Sequence, residues 1–239
     1  MSTWQAAWRL AVFEIRTGWP GLLITLIFFA YAAVVGTPLL DALLTGEIPG
    51  SYGWICDYLY LTVLPNMGFL LNPPALRYWR TDVYTKKLAA WRALPISDAQ
   101  IASGRLLQLV VNMVPVWLFF FALEYMLVYR EAGFAAGAYL NYALFWLGYS
   151  VLFAVMYVCL EQSLPGRIYF VACLCYMPVY ALLTLLLQLS DVTVIVEMAD
   201  AAKQGNWLPT GLMLALAAAA VWAGKAAVQR LIGRRNILG

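Results

Sequence analysis

An all-helical membrane protein with six transmembrane helices is the fold class this sequence predicts, and three observations predict it. The first is composition: of 239 residues, 64% are hydrophobic and only 11% charged. The mean hydropathy is +0.78, more apolar than a soluble domain needs to fill one core. The second is length, because six apolar runs approach the roughly 20 helical residues that cross about 30 Å of hydrocarbon. They are Gly21–Leu40, Gly53–Leu71, Leu106–Val128, Ala138–Leu160, Ile168–Leu189 and Trp207–Lys225. The third is pattern: the runs are continuously apolar, not alternating, which selects helices over a closed barrel in a solvent that offers the backbone no partner.

The net charge of +3 says little, but the placement of the basic residues sets the orientation. With the N-terminus inside, all but Arg130 and Lys203 of the 15 lysines and arginines fall on inner segments. The positive-inside rule then predicts a multi-pass protein of the cell membrane with both termini cytoplasmic. The basic segments coincide with inner loops, so no nucleic-acid partner is expected.

Residues 1–18 precede the first span. Trp4, Ala7, Trp8, Ala11, Val12 and Ile15 share one side of a helical wheel and Gln5, Arg9 and Arg16 the other, with Leu10 and Phe13 off the apolar face. This reads as an amphipathic helix on the inner leaflet. It serves either as an anchor whose Arg9 and Arg16 meet anionic lipid, or as an elbow touching a partner. Gly18-Trp19-Pro20-Gly21 is expected to turn the chain into the first span. That span is full length and is expected to be retained, not cleaved as a signal peptide.

After the second span, Asn72-Pro73-Pro74 ends the helix and opens the longest cytoplasmic segment, 76–104. Residues 82–93 favour a short helix in which Val83, Leu88, Trp91 and Leu94 alternate with Lys86, Lys87 and Arg92. Pro95 pushes Leu94 out of helical geometry. Ser97 followed by Gln100 is a capping-box pattern, and Asp98 in the first turn complements the helix dipole. A new helix is therefore expected to start near Ser97 and run straight into the third span.

The first two outer connections are short, carrying Asp41 with Glu47 and Arg130 with Glu131. The third, 190–206, is too apolar for an ordinary loop and too charged for a seventh span. It reads equally as a half-inserted or interfacial helix, or as an extension of the fifth span and a polar turn. The basic tail from Gln229 suits phospholipid contact. Cys56, Cys159, Cys173 and Cys175 lie in or at the edge of spans and read as packing residues.

Intramembrane polar groups are the candidates for chemistry. Asn66 and Asn112 read as interhelical hydrogen-bonding groups or as pathway residues. Asp57 and Glu124, both near the outer boundary, read as interfacial carboxylates or as an acidic exit vestibule. With no histidine, the chain lacks the ligand or base of intramembrane metalloproteases and rhomboid-like hydrolases. It also lacks the aspartate–glycine cluster of a phospholipid transferase, so no catalytic residue and no metal site is expected.

Leu94-Pro95-Ile96-Ser97, then Ile101, Gly104, Arg105 and Leu107, form L-P-I-S-x-x-x-I-x-x-G-R-x-L. This resembles the segment between the second and third spans of ABC type-2 exporter permeases, and the layout of the whole chain is similar to that family. The resemblance implies a single permease domain over 1–239 that pairs with a second copy or a paralogue. It also implies two cytoplasmic ATP-binding subunits as partners. On that reading Lys86, Lys87, Trp91, Arg92, Leu94, Pro95, Ile96 and Ser97 meet the ATPase. ATP and magnesium sit on the partner, because the only Gly-Lys pair, Gly224-Lys225, is followed by Ala226 and makes no phosphate-binding loop. A membrane-embedded binding, immunity or assembly factor is the alternative reading.

Overall fold

The computed structural model describes residues 3–71 and 83–234. Among these residues every regular element is helical. The long helices are α1 (Thr3–Leu44), α4 (Asp98–Glu124), α5 (Ala136–Ser163), α6 (Gly166–Leu189) and α8 (Leu208–Arg234); the short ones are α2 (Gly53–Val63), α3 (Val83–Arg92) and α7 (Val194–Lys203). The five long helices are long and apolar enough to cross a membrane.

Two parallel helix pairs build the body. α1 lies along α4, and α5 lies along α8. In the first pair, Ala7 and Ala11 are buried, and a β-carbon on Gly104 would stand 2.8 Å from Leu10 Cδ2. Farther along, Phe29 packs edge-on against Phe120 at 5.8 Å. In the second pair, a β-carbon on Gly148 would stand 3.0 Å from the backbone of Met213, and one on Gly224 would stand 2.4 Å from Val155 Cγ1. Small residues at both seams let the backbones approach, which is how helices gain contact where lipid gives no hydrophobic drive.

α1 departs from the sequence reading. Its 42 residues form one helix containing Pro20 and Pro38, about 63 Å at 1.5 Å per residue. Among the described residues the helix runs uninterrupted through Gly18–Gly21, with no separate helix ahead of it. A proline inside a helix removes one hydrogen bond and kinks it, but ends it only where nothing holds the two sides. Here α4 holds both, at Leu10 and at Phe29. The amphipathic face also divides differently: Ala7 and Ala11 face the protein, whereas Trp4, at 65% exposed, and Trp8 face outward with Arg9 and Arg16.

The second apolar run is not one continuous α-helix. α2 gives way at Leu64 to a 3₁₀ turn, Leu64–Gly68, with Pro65 in its first turn, and Phe69 is extended. Pro65 has no N–H for the Leu61 carbonyl, which accepts from the Tyr149 hydroxyl at 2.8 Å, and the Asn66 side-chain Nδ2 donates to the Thr62 carbonyl at 2.7 Å. The chain leaves this turn tied to α1, the Leu71 amide donating to Thr25 Oγ1 at 3.0 Å. Asn72-Pro73-Pro74 lies outside the described residues.

α3 and α7 cap opposite ends of the bundle. The 190–206 connection contains a distinct helix, not an extension of α6: Asp191 turns the chain at φ 54°. Ile195, Ala199 and Ala202 then bury one face of α7 against α5 and α2.

Candidate functional site

At the α3 end, the chain behaves as its local residues dictate. α3 ends at Arg92, and Leu94 and Pro95 form the corner. α4 begins at Asp98, capped by Ser97. The Gln100 amide donates to Ser97 Oγ at 3.3 Å, and the Ser97 amide donates to Gln100 Oε1 at 2.9 Å, so the capping box is complete. α4 then continues without a break through its apolar stretch.

The eight side chains expected to meet a partner divide into two groups. Trp91, only 6% exposed, and Leu88 turn inward. Lys87 pairs with Glu14 of α1 and lies 4.8 Å from the centre of the Trp91 ring. Arg92 donates to the Ile232 carbonyl of α8, with Nε 3.6 Å from Asp98 Oδ1. Trp91, Lys87 and Arg92, together with Leu88, therefore hold α3 to the bundle. Lys86, Pro95, Ser97 and Leu94, the last 51% exposed, face outward. Ile96 is half-buried beside a groove of 320 Å³ shared with Ala6, Arg9, Leu10 and Phe13.

The rest of the motif has equally local explanations. Ile101 is fully buried, and Gly104 admits Leu10 of α1. Arg105 reaches Glu161 near the end of α5 through two bonds, Nε to Oε1 at 3.1 Å and Nη2 to Oε2 at 2.6 Å. Gln108 accepts from Arg105 at 3.3 Å, Gln162 donates to Glu161 at 3.0 Å, and the guanidinium lies 5.4 Å from the Phe69 ring centre. A buried charge survives only when paired and hydrogen-bonded, and this one is paired in a bidentate manner.

The two outer carboxylates are enclosed by the chain: Asp57 and Glu124 are both buried. Asp57 of α2 accepts the amides of Val194 at 2.8 Å and Ile195 at 2.9 Å, so it caps α7 from a distant part of the chain. Glu124 accepts the Tyr60 hydroxyl at 2.6 Å inside a nest of aromatic rings. There Tyr60 and Trp146 lie 4.9 Å apart, and Tyr129 and Tyr142 lie 5.1 Å apart. Asn112 is buried within α4, apart from both.

Asn66 lines an open space. A cavity of 410 Å³ lies between α1, the 3₁₀ turn and α6. Thr25, Phe28, Asn66, Phe69, Tyr157, Tyr176 and Tyr180 are among its walls, and no charged side chain lines it among the described residues. Its volume and its mainly apolar wall with a few polar groups are those of a small-molecule site.

Glu14, Glu161 and Ile232 were missing from the sequence reading. Glu161 had a visible signal, a carboxylate at the end of an apolar run, and Glu14 another, an acid in a basic helix. Nothing in the sequence marks the Ile232 carbonyl, which is a backbone group brought close by folding. No family model, no curated protein and no solved structure matches this chain at a significant level.

Proposed function

We propose that this chain is the permease subunit of an ATP-driven ABC exporter in the cell membrane, with both termini and α3 on the cytoplasmic side. α2 and its 3₁₀ turn supply a sixth crossing. Together they extend roughly 26 Å by helical rise, close to the hydrocarbon thickness. ATP-binding subunits press on the outer face of the α3 corner, at Lys86, Leu94 and Pro95, and a second permease copy or a paralogue completes the path.

One observation carries the reading. A short helix meets a proline corner, and a fully capped helix leaves that corner directly into an apolar stretch, so displacement of α3 tilts α4 as a rigid body. The exposed Leu94 at the corner, on the rim of the groove lined by Phe13 and Ile96, supports the same reading. The mainly apolar cavity beside Asn66 supports a path for a weakly polar substrate of the amphipathic peptide, antibiotic or lipid kind.

The test is reconstitution with the ATP-binding subunits that co-purify. Leu94→Glu should leave the permease folded and lower transport per ATP hydrolysed by about tenfold or more. Unchanged association and transport in that variant would remove the corner from the mechanism. Wild-type chain that recruits no ATPase at all would favour the binding or immunity factor instead.

A further inference from the structure

The end of α3 and the start of α4 meet the last described turn of α8, Leu208–Arg234, at the α3 corner. Arg92 donates to the Ile232 carbonyl of that turn, a charge-assisted bond between helices. Asp98, the first residue of α4, lies next to the same guanidinium. A β-carbon on Gly233 would stand 3.5 Å from its Oδ2. On the other flank of α3, Lys87 pairs with Glu14 of α1.

We infer that Arg92 makes the end of α8 part of the coupling element, so that α3 works as a yoke that moves α1, α4 and α8 together. The inference rests on the proposed function in one respect only: that an ATPase pushes α3. Arg92 is a positioning residue in this scheme. Displacement reaches α5 from two sides, through Arg105 with Glu161 and through the close α5–α8 seam at Gly148 and Gly224. α6 packs chiefly on α2, touches α3 and forms one wall of the 410 Å³ cavity, so movement of α3 bears on that wall as well.

The experiment has two arms, both on the full chain in nanodiscs. In the first, spin labels replace the exposed Lys86 and Arg230, and Arg92→Gln is compared with wild type by pulsed distance measurement, with thermal melting to establish that both are folded. The α3–α8 distance distribution should broaden about twofold or more in the variant. In the second, with ATP-binding subunits present, transport per ATP should fall at least about fivefold in Arg92→Gln and stay near wild type in Asp98→Asn, which keeps the bond to Ile232. An unchanged distance distribution in a folded Arg92→Gln chain overturns the inference. Equal loss in Arg92→Gln and Asp98→Asn also overturns it, because Arg92 would then act through α4 alone. A wild-type chain that couples to no ATPase defeats the proposed function, and the distance arm by itself then upholds or overturns the α3–α8 tie.

Discussion

The two ends of the bundle are held by different chemistry. At the α3 end, side-chain cations bridge helices: Lys87 to Glu14, Arg92 to Ile232 and Asp98, and Arg105 to Glu161. At the α7 end, a buried carboxylate holds backbone amides, Asp57 accepting from Val194 and Ile195. Asn141 there donates to the Asn206 carbonyl at 2.9 Å. The Lys87 and Arg92 bonds lie at partly exposed positions, where water or another donor and acceptor can replace them. The Asp57 cap on α7 is buried and has no such exchange within reach.

The largest expected effect comes from the α3 end's one deeply buried pair. Arg105→Ala or Glu161→Ala alone should cost about 3–5 kcal/mol, because each strands an uncompensated charge. The double replacement Arg105→Met with Glu161→Leu should recover most of that loss, since a well-packed apolar pair is often as stable as a buried ion pair. Equilibrium unfolding in mixed micelles measures both, and a double variant no better than the singles would show that the pair has a value beyond mutual neutralisation.

Next comes the contrasting end. Asp57→Ala should cost about 2–3 kcal/mol, the range for hydrogen bonds to a charged group whose loss leaves buried donors unmet. It should also speed hydrogen exchange at Val194 and Ile195 while exchange in α3 stays unchanged. Exchange that rises equally in α3 would mean the two ends are not independent.

The smallest effect belongs to the corner. Ser97→Ala removes a side-chain cap and should cost about 1 kcal/mol, and Ser97→Asp should restore it. Fraying confined to the first turn of α4 is the expected exchange signature. A loss several times larger would show that the corner is held by more than its own capping box.

Much of this architecture was legible from short-range signals, and specific residues show why. Pro95, Ser97 and Gln100 dictated the break and restart over six residues, and the apolar runs matched α5 and α6 closely while falling well short of one end of α1, α4 and α8. The same rules failed at Pro20, where α4 supports both sides of the proline, and at Pro65, where a run that reads as one helix tightens into a 3₁₀ turn. They do not reach the enclosure of Asp57 and Glu124. Depth along a span is readable from sequence, whereas the face a carboxylate presents depends on which neighbour arrives there.

The sequence by itself determined the apolar crossings, the preponderance of cations on one set of connections, and the capped corner at Leu94–Ser97. Each of these depends on residues within about one helical turn, or on the solvent that a whole segment requires. Only the tertiary structure decided which cations of the basic segment point outward. Lys86 faces outward, while Lys87, Arg92 and Arg105 find Glu14, Ile232 and Glu161 elsewhere along the chain. Those partners are chosen by how helices pack, through small residues such as Gly104 and Gly148, and packing is a property of pairs of helices that no single stretch of sequence contains.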